Sequence, residues 1–151
     1  MSSSSLPECT LVDPAALQVG QTVWSVTRPP ITRSDIVRYA GASGDFTPFH
    51  HDEIYAQAAG NPTVFAMGLY PAGILASLIT LHFGTLTLRR FGIKFVDKVW
   101  PGDVLTYSGR VSSTDDEIQL ELLVCDQRGT PKLTGSASIS PASEGAGGTG
   151  K

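Results

Sequence analysis

Cysteine, long apolar runs and surplus charge are all scarce in this sequence. Cys9 and Cys125 are its only thiols. They form no CxxC pair, which argues against a disulfide scaffold and fits a reducing cytosol, so a cytoplasmic location is expected. No stretch approaches the roughly 20 apolar residues that cross a bilayer. The best, Ala72 to Phe83, is broken by Ser77, Thr80 and His82. The opening MSSSSLPECT lacks a basic segment followed by an apolar one, so neither a signal peptide nor membrane attachment is expected. Eleven basic and fourteen acidic side chains leave a formal net charge of −3, too mild for an electrostatic nucleic-acid binder. Histidine is scarce as well, with only His50, His51 and His82. Adjacent histidines in an extended segment point apart, and no further ligand stands at a metal-binding spacing, so no metal is expected.

What the chain does contain is 41% hydrophobic and 17% charged residues over 151 positions. That composition suits one globular domain. The Ser-rich residues 1–10 read as a flexible arm, and the Gly/Ser/Ala-rich residues 141–151 as a disordered tail. Residues 11–140 remain for the domain. Gln21 to Thr27 alternates like a strand, and Arg28-Pro29-Pro30 ends it. Thr32 or Ser34 can cap a helix through Ser43, with Ile36, Val37, Tyr39 and Ala40 on its buried side. Asp52 can cap a second helix from Glu53 to Gly60. A third runs from about Pro71 to His82 and is apolar on nearly every face, which marks a buried helix. The period then changes. Thr85–Leu88, Gly92–Val96, Val104–Ser112, Ile118–Asp126 and Lys132–Ile139 read as strands parted by short turns. Helices followed by a run of antiparallel strands predict an α+β fold, with a curved antiparallel sheet wrapped around the long helix.

The chemistry concentrates in Gly41 to His51, GASGDFTPFHH. Asp45 and His50 stand five residues apart, about 500° on a helix and so not on one face. A loop turned at Pro48 can bring both side chains to one point. A carboxylate and an imidazole sharing one water make a general acid–base device. The same residues also suit a turn cap and a hydrogen-bonded loop histidine. Gly68 stands at the entrance of the buried helix, where a free N–H at the positive end of the helix dipole is a ready oxyanion donor. It also suits a close turn.

Taken together, these residues resemble the MaoC-like dehydratases, the (R)-specific enoyl-CoA hydratases of the hotdog fold. The resemblance runs from about residue 15 to 140. It rests on Tyr39 to His50 with its Asp-x-x-Pro-x-His core, on Ala56, on Gly68, and on Phe91 to Asp103, which ends in Pro-Gly-Asp. It implies that Asp45 and His50 are the catalytic pair and that the Gly68 N–H holds the thioester oxygen. The reaction it implies is reversible hydration of a trans-2-enoyl thioester to the (R)-3-hydroxyacyl thioester. No cofactor is implied beyond the coenzyme A or phosphopantetheine carried by the substrate. Two positions depart from the family pattern. Thr47 replaces the usual Asn, and Met67 the usual His. Phe46, Phe49, Tyr55, Phe65, Met67, Tyr70 and Ile74 are candidates to line the acyl pocket, or else plain core. Arg89, Arg90, Lys94 and Lys98 are candidates for the carrier's phosphates, or else surface charges. The resemblance further implies a homodimer joined at sheet edges, or a heterodimer in which this chain is the catalytic half. A hotdog thioesterase and a non-catalytic acyl-thioester-binding subunit are the alternatives.

Overall fold

A computed structural model describes residues 11–85 and 87–140. The expected arm and tail, with Cys9, lie outside them. In chain order the elements are β1 (Thr22–Thr27), α1 (Arg33–Ser43), α2 (Glu53–Ala58), α3 (Leu69–Phe83), β2 (Leu88–Phe95), β3 (Thr106–Ser113), β4 (Ile118–Cys125) and β5 (Pro131–Ile139). The strands form one antiparallel sheet in the order β1-β3-β4-β5-β2. This is the α+β hotdog architecture that the sequence pattern and the resemblance imply.

The sheet has one apolar face because strand side chains alternate. On β4, Ile118, Leu120, Leu122 and Val124 are buried while Glu121 and Leu123 face out. Their partners Tyr107 and Val111 on β3, and Leu133 and Ala137 on β5, point the same way. The α3 residues Ala72, Leu75, Leu78, Ile79 and Phe83 join them in one core. Leu75 and Ile79 are wholly enclosed, and burial of each contributes about 1.5–3 kcal/mol.

Three expectations change. The helix read as apolar on nearly every face is buried on one side only, with Gly73 and Ser77 exposed. Val37, expected on the buried side of α1, is 56% exposed; Ile36 and Ala40, four apart, carry that face instead. Of the two strands read as Thr85–Leu88 and Gly92–Val96, Leu88 and Gly92–Phe95 belong to one continuous strand, β2, while Thr85 and Thr87 lie in a turn. Gly92 pairs in register with Ser136 and breaks nothing.

Both ends of the sheet are open in a single chain: β1 is one edge and β2 the other. Among the described residues, no helix is long and apolar enough to cross a membrane.

Candidate active site

The site is assembled from the segment joining α1 to α3. Thr32 caps α1 in a reciprocal capping box: the Asp35 N–H donates to its hydroxyl oxygen, and the Asp35 carboxylate accepts from the Thr32 N–H. Gly44 ends the helix at φ 74°, the left-handed conformation in which glycine is favoured. The chain reverses there and delivers Asp45. A single 3-10 turn over Pro48–His50 follows, and Asp52 caps α2 by accepting from the Tyr55 N–H. The turn at Pro48 does what a continuous helix could not. His50 Nε2 lies 3.7 Å from Asp45 Oδ2.

Each member of this pair is held from behind. His50 is buried, and its Nδ1 lies 2.7 Å from the Phe65 carbonyl oxygen. A carbonyl only accepts, so Nδ1 carries the hydrogen, and in the neutral ring Nε2 presents its lone pair to Asp45. Asp45 Oδ1 accepts from the Thr47 hydroxyl at 2.6 Å and from the Thr47 N–H at 3.2 Å. Those bonds hold the carboxyl below the usual carboxylate range, with a smaller contribution from His50. Oδ2 is left facing His50. At 3.7 Å the two acceptors do not bond directly, but one water about 2.8 Å from each can bridge them.

The segment 61–68 closes the site. The Phe65 N–H donates to the Phe49 carbonyl and the Ala66 N–H to the Val99 carbonyl. These bonds tie the segment to the His50 turn on one side and to the loop between β2 and β3 on the other. Gly68 is the N-cap of α3, and among the described residues its N–H donates to no protein acceptor. The Phe95 ring occupies the space beside it; a Cβ at position 68 would lie 2.6 Å from that ring. Glycine is what lets the ring and the helix end meet.

Asp45, His50, Phe65, Met67 and Gly68 share one open cavity of about 580 Å³. The other candidate pocket residues fall outside it. Phe46 is 63% exposed, with its carbonyl 3.0 Å from His51 Nε2. Phe49 packs tilted against Phe65, and Tyr55 meets Phe49 edge-on. Tyr70 and Ile74 face a separate cleft. Lys98 does line the cavity; Arg89, Arg90 and Lys94 do not. The Lys98 ammonium donates to Asn61 Oδ1 at 2.6 Å and sits over the Phe65 ring.

Sequence reasoning missed the opposite wall: Phe95, Val96, Asp97, Trp100 and Lys132. Lys132 is the informative omission. Its side chain is 1% exposed, and its ammonium lies 2.7 Å from Asp97, 3.6 Å from Asp126 and 3.9 Å from Asp103. A lysine at the start of a strand reads as solvated; only the three carboxylates it meets in space reveal otherwise. The remaining histidine, His82, stacks on Trp24 and binds the Leu78 carbonyl, so it serves packing.

A domain model described as "MaoC like domain" matches residues 15–124, which takes in Asp45, His50 and Gly68. The chain belongs to the MaoC-like dehydratase family. It is 34% identical over 74 residues to the 3-hydroxybutyryl-CoA dehydratase of Methylorubrum extorquens, covering 49% of this chain and 46% of that one. The chain spans less than half the length of the curated relatives it matches. Among solved structures, the R-hydratase PhaJ1 of Pseudomonas aeruginosa superposes with a TM-score of 0.74 at 25% identity, covering 85% of this chain and 84% of that one. The ChsH1-ChsH2 complex of Mycobacterium tuberculosis gives 0.73 at 24% identity, with coverage of 82% and 98%; that likeness is one of fold. In this MaoC-like chain, Thr47 is the position to test by pH. Thr47→Val removes the hydroxyl that holds Asp45 down, so the Asp45 pKa rises. The acid limb of a pH–rate profile that needs ionised Asp45 then moves to higher pH, while Thr47→Ser leaves it in place. An unmoved limb in Thr47→Val would show that the hydroxyl does not set this pKa.

Proposed function

We propose that this MaoC-like protein hydrates trans-2-enoyl thioesters reversibly to (R)-3-hydroxyacyl thioesters. One observation carries the reading: a carboxylate, an imidazole nitrogen and an undonated N–H at a helix start open on one cavity. Water held between Asp45 Oδ2 and His50 Nε2 gives its oxygen to C3, and one of the pair takes its proton. The electron pair of the C2=C3 bond shifts toward the thioester oxygen as an enolate, which the Gly68 N–H and the positive end of α3 stabilise. A proton returned to C2 completes the addition. The names of the relatives, a 3-hydroxybutyryl-CoA dehydratase and an R-hydratase, support this reaction class. The carrier, coenzyme A or phosphopantetheine, belongs to the substrate, and no other cofactor enters.

The assay follows the conjugated enoyl-thioester absorbance of crotonyl-CoA and of a C8 to C12 enoyl-CoA. Loss of the signal without release of free CoA is the expected outcome. Free CoA in step with turnover would make the protein a thioesterase. Silence toward every enoyl-CoA from the folded protein would move it to a binding role.

A second reading concerns assembly. Leu69, Phe95 and Val96 are at least half exposed and all line the cavity, whose wall includes the end of the open β2 edge. An edge partner would cover them and hide unpaired backbone groups. The partner is a second copy or another hotdog subunit; the ChsH1-ChsH2 complex, itself a two-protein assembly, supports the latter.

A further inference from the structure

A second cleft shares no residue with the cavity just described. Its volume is about 150 Å³, and Arg28, Ile31, Tyr70, Ile74, Leu105 and Tyr107 line it. Three of its polar side chains are donors without a protein acceptor among the described residues. Tyr107 is 1% exposed, and among the described residues its hydroxyl bonds to no protein atom. Nor is that hydroxyl sealed in: among those residues, the enclosed polar side-chain atoms without a partner are Trp24 Nε1 and Ser138 Oγ. The Tyr70 hydroxyl and the Arg28 guanidinium likewise bond to no described protein atom. A buried phenol without a partner costs free energy unless something in the cleft accepts from it.

The donors are held in place. The Arg28 N–H donates to the Leu105 carbonyl and the Ile31 N–H to the Asp103 carbonyl. Pro29 and Pro30 stiffen the segment between them. Burial is the main reason the Tyr107 and Tyr70 hydroxyls sit above the usual phenol range, so both stay protonated and able to donate. The Asp35 carboxylate adds to the rise at Tyr70, and Arg28 pulls both hydroxyls the other way more weakly. Asp35 also lines the cleft, but its Oδ2 accepts from the N–H and hydroxyl of Thr32, and its Oδ1 lies 3.6 Å from Arg38. Those contacts engage both of its oxygens, and Arg28 is the arginine that lines the cleft.

Three donors, one of them cationic, call for an oxyanion; Ile31, Ile74 and Leu105 beside them call for a short apolar chain. We propose that this cleft binds a short-chain monocarboxylic acid, its carboxylate held by Arg28, Tyr70 and Tyr107 and its chain by the three aliphatic residues. A space of this size holds about six non-hydrogen atoms, the scale of benzene in a cavity of comparable volume. The site does not depend on the hydratase reading.

The test titrates butanoate, with butan-1-ol as the uncharged control, into the full chain labelled at isoleucine and methionine methyl groups. Saturable shifts of Ile31 and Ile74 with butanoate are expected, and weaker ones with the alcohol. Tyr107→Phe removes one oxygen and nothing else, and Arg28→Gln alters an exposed side chain. Each is expected to weaken binding about tenfold, the loss of one hydrogen bond to a charged group. Linear shifts, equal response to the alcohol, unchanged affinity in Arg28→Gln, or shifts centred on Met67 in the first cavity would each overturn the proposal. An unliganded methyl spectrum matching that of the parent protein establishes that each variant is folded.

Discussion

His50→Asn should slow enoyl-thioester hydration by roughly 10²–10⁴-fold, the usual worth of a general acid–base group, with the fold intact. Asparagine is the informative replacement. Its amide nitrogen stands where Nδ1 stands and can still donate to the Phe65 carbonyl, which His50 binds at 2.7 Å. Only the Nε2 lone pair facing Asp45 is lost. Asp45→Asn is its counterpart. The amide oxygen can keep both bonds from Thr47, while an uncharged NH2 replaces the Oδ2 that lies 3.7 Å from His50. In the proposed mechanism both groups grip one water, so the double variant should be little slower than either single one. Steady-state kcat/KM with crotonyl-CoA measures all three. A single variant that kept more than about a tenth of the parent rate would fall short of any general-catalysis contribution of this size and remove that residue from the chemistry.

Lys132→Met carries the largest expected effect on stability. Methionine fills the same volume, so packing survives, but three carboxylates lose the one buried cation between them. Breaking a buried ion pair from one side costs about 3–5 kcal/mol. In a domain of this size that lowers Tm by about 10 °C or more. The change also touches the site. Asp97 sits in the cavity wall, and its carboxyl is held below the usual range chiefly by its hydrogen bond from Lys132. Asp103 accepts from the Trp100 N–H in the same wall. Lys132→Arg should recover most of the loss. A Lys132→Met protein that melts within about 2 °C of the parent would show that the cluster is relaxed by solvent and contributes little.

The elements and the Asp45/His50 pair were legible because local signals specify them. Alternation marks β4, Gly44 and Pro48 mark the turn, and Thr32 and Asp52 mark two helix starts. Strand joining was not: a glycine such as Gly92 looks like a break until its register with β5 is known. The cavity wall escaped for another reason. Phe95 and Lys132 reach the site from strands and Trp100 from the loop between β2 and β3, all far along the chain, and nothing near them in sequence distinguishes a lining residue from a surface one. Aromatic residues close to the motif were nominated on proximity. Phe49 instead supports Phe65, Tyr55 packs on Phe49, and Tyr70 turns to the other cleft, because neighbours on a short helix or turn face different ways.

The three groups assigned to the reaction all come from residues 45–68, ahead of the long helix, and none comes from a strand. The sheet supplies the opposite wall of the cavity and the open edge beside its mouth. Chemistry and enclosure are therefore encoded in different stretches of the chain and are free to change separately. Substitutions along β2 and the loop after it can reshape what the cavity admits, or which chain lies against it, without moving Asp45, His50 or the Gly68 N–H. A scaffold divided in this way can diversify its substrates by altering its walls while the reaction stays the same.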